Sequence, residues 1–236
     1  MALPVINDVP KYTLTVPSTG KKLEYRPFLV KEQKVLLMSL ESEDEGMIVR
    51  AIRDTIAACV LSDININDLA TFDVEYIFTQ IRCKSAGETT DIGILCNECD
   101  KQNEIKVNLK NIVVGNVPTP PTVKLNETYS IKLRYPTYIN MIESTEKNDM
   151  SITDLLFEMC IASLDSLNSE EEQFKFDDEE SGEKIKFLDG LSNEQFKTIL
   201  DFVQNIPKMS HTIEFDCVSC NSNNKQTLEG INDFFQ

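Results

Sequence analysis

Two short cysteine motifs, Cys96-Asn97-Glu98-Cys99 and Cys217-Val218-Ser219-Cys220, carry the residues of this chain best suited to chemistry. A two-residue gap lets both thiolates of one tight turn point at a single ion, and two such turns complete a tetrahedral shell of four sulfurs. The spacing predicts one zinc ion per chain, held by Cys96, Cys99, Cys217 and Cys220. Such a closed shell leaves no position for a substrate. The ion is therefore expected to be structural, its binding energy contributing to folding. Asp100 and Asn221 follow the second cysteine of each pair, and both residue types tolerate the left-handed backbone that ends such a turn.

Two other chemistries compete for the same cysteines. A thiol–disulfide redox motif expects one CxxC beside a βαβ unit, whereas these are two copies, each set between alternating segments. Structural disulfides expect an oxidising compartment, and no charged-then-apolar run follows Met1-Ala2-Leu3-Pro4 to mark a signal peptide. Of the seven cysteines, Cys59 and Cys160 fall on apolar helical stripes and read as buried small hydrophobes. Cys83 closes a predicted helix and is uninformative. The odd total with reduced thiols fits a cytosolic compartment.

The elements that must position the two motifs are alternating segments. Asp91–Leu95 and Ile105–Leu109 flank the first, and Thr212–Phe215 and Lys225–Leu228 flank the second, so each motif is expected on a β-hairpin. An opening hairpin is predicted from Lys11–Val16 and Lys21–Pro27 around Ser18-Thr19-Gly20. Helices are predicted at Val30–Ser42, from Gly46 to about Leu61, and at Asp68–Lys84. Val117-Pro118-Thr119-Pro120-Pro121 can continue neither a helix nor a central strand and reads as a connector. Beyond it come a strand at Thr128–Tyr135 and a helix at Ile152–Leu164 that is apolar nearly all round, as expected for a helix central to a core or, as the alternative, one shared with a partner chain. Phe174, Phe176, Ile185 and Phe187 flank Asp177-Asp178-Glu179-Glu180, which suggests a hairpin with a solvated acidic tip. Ser192 and Gln195 form a capping box for a helix whose buried face is Phe196, Ile199, Leu200 and Val203. The fold expected is α+β, with two lobes, 1–117 and 122–236, joined at the shared cysteine site. Phe234 and Phe235 are expected to pack on the domain or on a neighbour.

Composition narrows the function. The 236 residues carry a net charge of −16, a poor match for phosphate backbones, so no strong nucleic-acid binding is expected. No apolar run approaches the ~20 residues of a membrane span. The single histidine, His211, starts a predicted strand and has no nucleophile nearby in sequence. GxGxxG, GxxxxGK[ST] and HExxH motifs are absent. The reading is a binding or structural protein rather than an enzyme.

Four segments, in this order, resemble the baseplate hub family of T-even-type contractile-tailed phages. They are Tyr25-Arg26-Pro27-Phe28-Leu29-Val30-Lys31-Glu32-Gln33-Lys34, Leu133-Arg134-Tyr135-Pro136-Thr137, Asp201-Phe202-Val203-Gln204-Asn205-Ile206-Pro207-Lys208-Met209 and Gly230-Ile231-Asn232-Asp233-Phe234-Phe235. The resemblance implies a viral protein made in the bacterial cytoplasm, with other baseplate hub proteins as partners. It covers both hub subunits of the virion and factors that act in assembly. Arg26 is expected either to contact a partner or to pair locally with Glu32, with local pairing slightly favoured. A zinc-ribbon adaptor of transcription or replication machinery, and a thiol oxidoreductase, remain alternative readings of the cysteines.

Overall fold

The computed structural model describes residues 9–42, 44–145, 151–231 and 233. Phe234 and Phe235 lie outside the described residues. Contacts divide the chain into two compact units. The first comprises 1–66, 72–116 and 208–236, and the second 67–71 and 117–207. A division in sequence order, at 117 and 122, shares the boundary at the proline segment. It differs over 67–71, which group with the second unit, and over 208–236, whose strands complete the core of the first, so both cysteine motifs belong to the first unit rather than joining two lobes.

In the first unit, β1 (Tyr12–Thr15) and β2 (Lys22–Tyr25) form the opening hairpin. Its turn is fastened to α3 (Thr71–Ser85), because the fully buried Asp73 accepts hydrogen bonds from the Ser18 amide, at 2.9 Å, and from the Ser18 hydroxyl. Helix α1 (Val30–Glu41) follows Pro27. Helix α2 (Glu45–Cys59) starts at Asp44, whose carboxylate accepts the Met47 amide as an N-cap should. Its buried positions, Val49, Ile52, Ile56 and Cys59, recur every three to four residues, as one packed face requires.

Helix α1 runs against this pattern. Its fully buried residues are Glu32 and Ser39, both polar. Glu32 faces Arg26 at 2.9 Å and also accepts the Leu29 amide at 2.7 Å. Arg26 donates further to the carbonyls of Pro27 and Ala58. The local pairing expected for Arg26 is thus what the structure shows.

The first cysteine-bearing hairpin follows α3. Strands β3 (Thr89–Leu95) and β4 (Gln102–Asn108) pair in full antiparallel register. A two-residue strand, β5 (Val113–Val114), then precedes the connector.

The second unit holds β6 (Thr122–Lys124), β7 (Ser130–Leu133), α4 (Tyr138–Thr145), α5 (Ile152–Ala162), β8 (Leu164–Asn168), β9 (Gln173–Lys175), α6 (Ser181–Asp189) and α7 (Asn193–Gln204). Its four strands form one antiparallel sheet in the order β6-β7-β8-β9. Ile131, Leu133, Leu164, Ile199 and Val203 centre its core. Arg134 grips both carboxylate oxygens of Asp177 at 2.6 Å, so this part of the acidic run is an ion pair rather than a solvated tip.

Two expectations are corrected here. Ile185 and Phe187 lie on helix α6, not on the second strand of a hairpin. Sequence spacing of two had suggested a strand, but the run from Ser181 to Asp189 also fits two helical turns, and Glu180 provides the extended residue that starts them. Helix α5 is buried along one face, where Leu156, Met159 and Ile161 pack on the core beside Cys160, and not nearly all round. Cys160 is its one fully buried residue, and Ile152 is 89% exposed. The capping box of Ser151 and Asp154 holds its first turn from outside the core. The capping box of Ser192 and Gln195 is present as expected.

The chain then returns to the first unit with β10 (Met209–Asp216) and β11 (Asn223–Glu229), in the order β11-β10-β5. Ile92, Ile94 and Val107 of the first cysteine hairpin share one apolar cluster with Ile213, Phe215 and Leu228 of the second. This packing brings the two motifs together. Among the described residues, no helix is long and apolar enough to cross a membrane.

Candidate metal centre

The two motifs occupy matching turns. In the first, the Cys96 amide bonds the Lys101 carbonyl at 2.9 Å and the Asp100 amide bonds the Cys96 carbonyl at 3.0 Å. In the second, the Cys217 amide bonds the Ser222 carbonyl at 2.9 Å and the Asn221 amide bonds the Cys217 carbonyl at 3.0 Å. Asp100 and Asn221 have φ of 55° and 56°, the left-handed backbone anticipated from their residue types.

All four sulfurs lie within 4.8 Å of one another. Cys96 Sγ is 3.7 Å from Cys220 Sγ, and Cys99 Sγ is 3.7 Å from Cys217 Sγ. A tetrahedral Zn²⁺ with Zn–S bonds of about 2.3 Å separates its sulfurs by about 3.8 Å, whereas a disulfide needs about 2.05 Å. The spacing fits four ligands around one soft cation and does not fit disulfides. Cys96 and Cys217 are buried while Cys99 and Cys220 are exposed, so the cluster lies at a protein edge. Among the described residues, this is the one group of three or more Cys, His, Asp or Glu side chains arranged to hold a metal. His211 is not in it.

Hydrogen bonds prepare the sulfurs for negative charge. The Ser222 hydroxyl lies 3.2 Å from Cys96 Sγ and 3.0 Å from Cys220 Sγ. The Glu98 and Ser219 amides approach Cys96 Sγ and Cys217 Sγ at 3.5 and 3.4 Å. The Ser222 contact, with the Glu98 amide, brings the Cys96 thiol down to about 5. The amides of Cys220 and Ser219 lower Cys217. At Cys99 the Lys101 amide pulls the same way, but contact with the Cys220 thiol, desolvation, and contacts with the Cys217 and Cys96 thiols outweigh it and lift the group to about 12. Four thiolates this close repel one another. A divalent cation is what allows all of them to ionise together.

Two further residues complete the centre, and neither was anticipated. Asn103 Oδ1 accepts the Val218 amide at 2.9 Å, and Asn224 Oδ1 accepts the Asn97 amide at 2.9 Å. Each asparagine stands on the strand leaving one motif and grips the other motif's turn. Both are 2% exposed. Their signal was present in the sequence as a longer repeat, Cys-x-x-Cys-x-x-x-Asn, running from Cys96 to Asn103 and again from Cys217 to Asn224.

A protein-family model described as "T4 bacteriophage base plate protein" matches residues 9–236, nearly the whole chain. No curated protein and no solved structure matches.

Proposed function

We propose that this chain, which belongs to the T4 bacteriophage base plate protein family, is a non-enzymatic structural or assembly protein of the baseplate hub. Membership over residues 9–236 is the single observation that carries the reading. Assignment to the hub goes further than family membership. It is supported by the four ordered segments resembling hub proteins, two of which contain the arginines held in ion pairs, Arg26 and Arg134. Its partners are other baseplate hub proteins. It assembles with them in the host bacterial cytoplasm, and the tail baseplate is its destination.

The cysteine centre serves this role as a structural zinc site. Sulfur spacing, the all-thiolate donor set and the matched turns support zinc. Cys96, Cys99, Cys217 and Cys220 would hold the ion, which ties together two hairpins lying more than a hundred residues apart in sequence. A net charge of −16 speaks against the adaptor reading, in which the chain would work on nucleic acid.

The test is a phage carrying an epitope tag on this chain. Purified baseplates and assembly intermediates from infected cells are analysed by quantitative mass spectrometry. The expected result is co-purification with hub components in at least one of the two fractions. Absence from both overturns the hub reading. Presence in intermediates alone marks an assembly factor, and presence in finished baseplates marks a structural subunit.

A further inference from the structure

We infer that the outer face of helix α1 pairs with the same face of a second copy, antiparallel, about a two-fold axis. The inference goes beyond the baseplate role and depends on neither that role nor the metal.

Helix α1 is inverted relative to an ordinary surface helix. The fully buried residues facing the protein are the polar Glu32 and Ser39, with the half-buried Leu36 between them. At 100° per residue the opposite stripe is Val30, Lys34, Leu37, Met38 and Glu41. All five are exposed, with Val30 at 79%, Leu37 at 52% and Met38 at 58%. Val35 and Leu40 flank the stripe and are exposed as well. Side chains of this size on one face mark an interaction surface. The stripe recurs at i, i+4, i+7 and i+11, as in a helix–helix seam.

The charge order on the stripe identifies the occupant. Lys34 stands before the apolar pair Leu37-Met38, and Glu41 stands after it. Rotating a second copy by 180° about a point between Leu37 and Met38 puts Lys34 opposite Glu41, and Glu41 opposite Lys34. The same rotation stacks Leu37 and Met38 across the axis. A parallel pairing would instead set Lys34 against Lys34 and Glu41 against Glu41. The face is therefore its own complement under one operation, which is what an isologous interface requires. The pairing of Glu32 with Arg26 fixes the rotation of α1 beforehand, so little ordering is left for association. A twelve-residue helix is only about 18 Å long. The contact is accordingly small, and its dimer is a micromolar one rather than an obligate one.

Sedimentation velocity of the full chain over a concentration series tests this. The expected result is a concentration-dependent doubling of the sedimenting mass. Leu37→Glu should abolish it. Lys34→Glu should weaken it about tenfold, because each exposed charge pair occurs twice across the axis. Glu41→Lys should do the same. Lys34→Glu combined with Glu41→Lys should restore wild-type pairing. All three substitutions lie on exposed positions, and far-UV circular dichroism confirms that each of the four variants is folded. A wild-type monomer at every concentration overturns the inference. So does a charge-swapped double variant that pairs no better than the singles. Binding of a monomeric wild type to phosphatidylglycerol vesicles, lost in Leu37→Glu, would assign the face to a membrane and also overturn it.

Discussion

Asn103 and Asn224 hold the turns of the opposite cysteine motifs, each through an amide hydrogen bond of 2.9 Å. The exchange is reciprocal, and it lies outside any metal shell. Removing one side chain frees one motif to shift while leaving all four sulfurs in place. Asn224→Ala is expected to weaken metal binding about tenfold, at the low end for groups that orient ligands, because the Asn97 backbone borders solvent and water can replace the lost bond. Competition against a chromophoric chelator measures this. Asn103→Ala should act alike. An unchanged affinity in both would mean that the amide grips only decorate the centre.

Protein purified without added metal should contain about one equivalent of zinc by elemental analysis. Cys217→Ser should lose it and loosen the first unit, since the strands that carry Cys217 and Cys220 belong to that core. Cys160→Ser should keep the metal, because Cys160 is fully buried in the apolar core of the second unit. Equal zinc loss in the two variants would show that the ligands are assigned wrongly.

Glu75 should make stability fall as the pH rises. Burial on α3 pushes its carboxyl from 4.5 up to about 7, against the pull of the Ile231 amide and of Lys208. The protonated form therefore favours the folded state. That contribution is fully present below 4.5 and is lost as the pH rises through about 7. At 1.36 kcal/mol per unit it amounts to at most about 3 kcal/mol. Glu75→Gln should remove this slope. Urea unfolding of both proteins across the window gives the difference, and a difference that does not move with pH would refute the assignment.

Arg26→Met should cost about 3 kcal/mol, because it leaves the buried Glu32 carboxylate with only the exposed Lys31 ammonium, at 3.4 Å, as a cation. Glu32 is 6% exposed. Burial alone would raise its carboxyl, but the Arg26 hydrogen bond and the Leu29 amide hold it below the usual range. Its contribution is present above the unfolded value and is lost as the pH falls through the folded one. The double variant Arg26→Met/Glu32→Gln should recover part of the loss, as read by chemical denaturation. No recovery would place the role of Arg26 in its bonds to the Pro27 and Ala58 carbonyls.

The cysteine residues were legible because CxxC spacing is set by the geometry of one tight turn. Helices α1, α2, α3 and α7 were legible from apolar recurrence, caps and breakers. Spacing could not reveal which face of α1 points inward. That depends on a buried pair, Arg26 and Glu32, whose polarity reads as surface until the pairing is known. Helix α5 misled for the converse reason: an apolar composition states what a helix can bury, not what is there to bury it. The asparagines were not legible because an amide that holds a neighbouring turn is not itself a metal-ligand type.

The interleaving of the two units has a consequence for synthesis on the ribosome. Among the described residues, strands β10 and β11 are the last regular elements to emerge, yet they finish a core begun by α3 and the first cysteine hairpin. The nascent chain must carry the Cys96–Cys99 turn as an open half-site while residues 117–207 of the second unit are made, and that unit can fold before the first one is complete. Closure of the first unit is thus a late and single event. A chain interrupted anywhere between Pro207 and Cys217 would present unpaired thiols and an uncovered sheet face to the quality-control machinery of the cell.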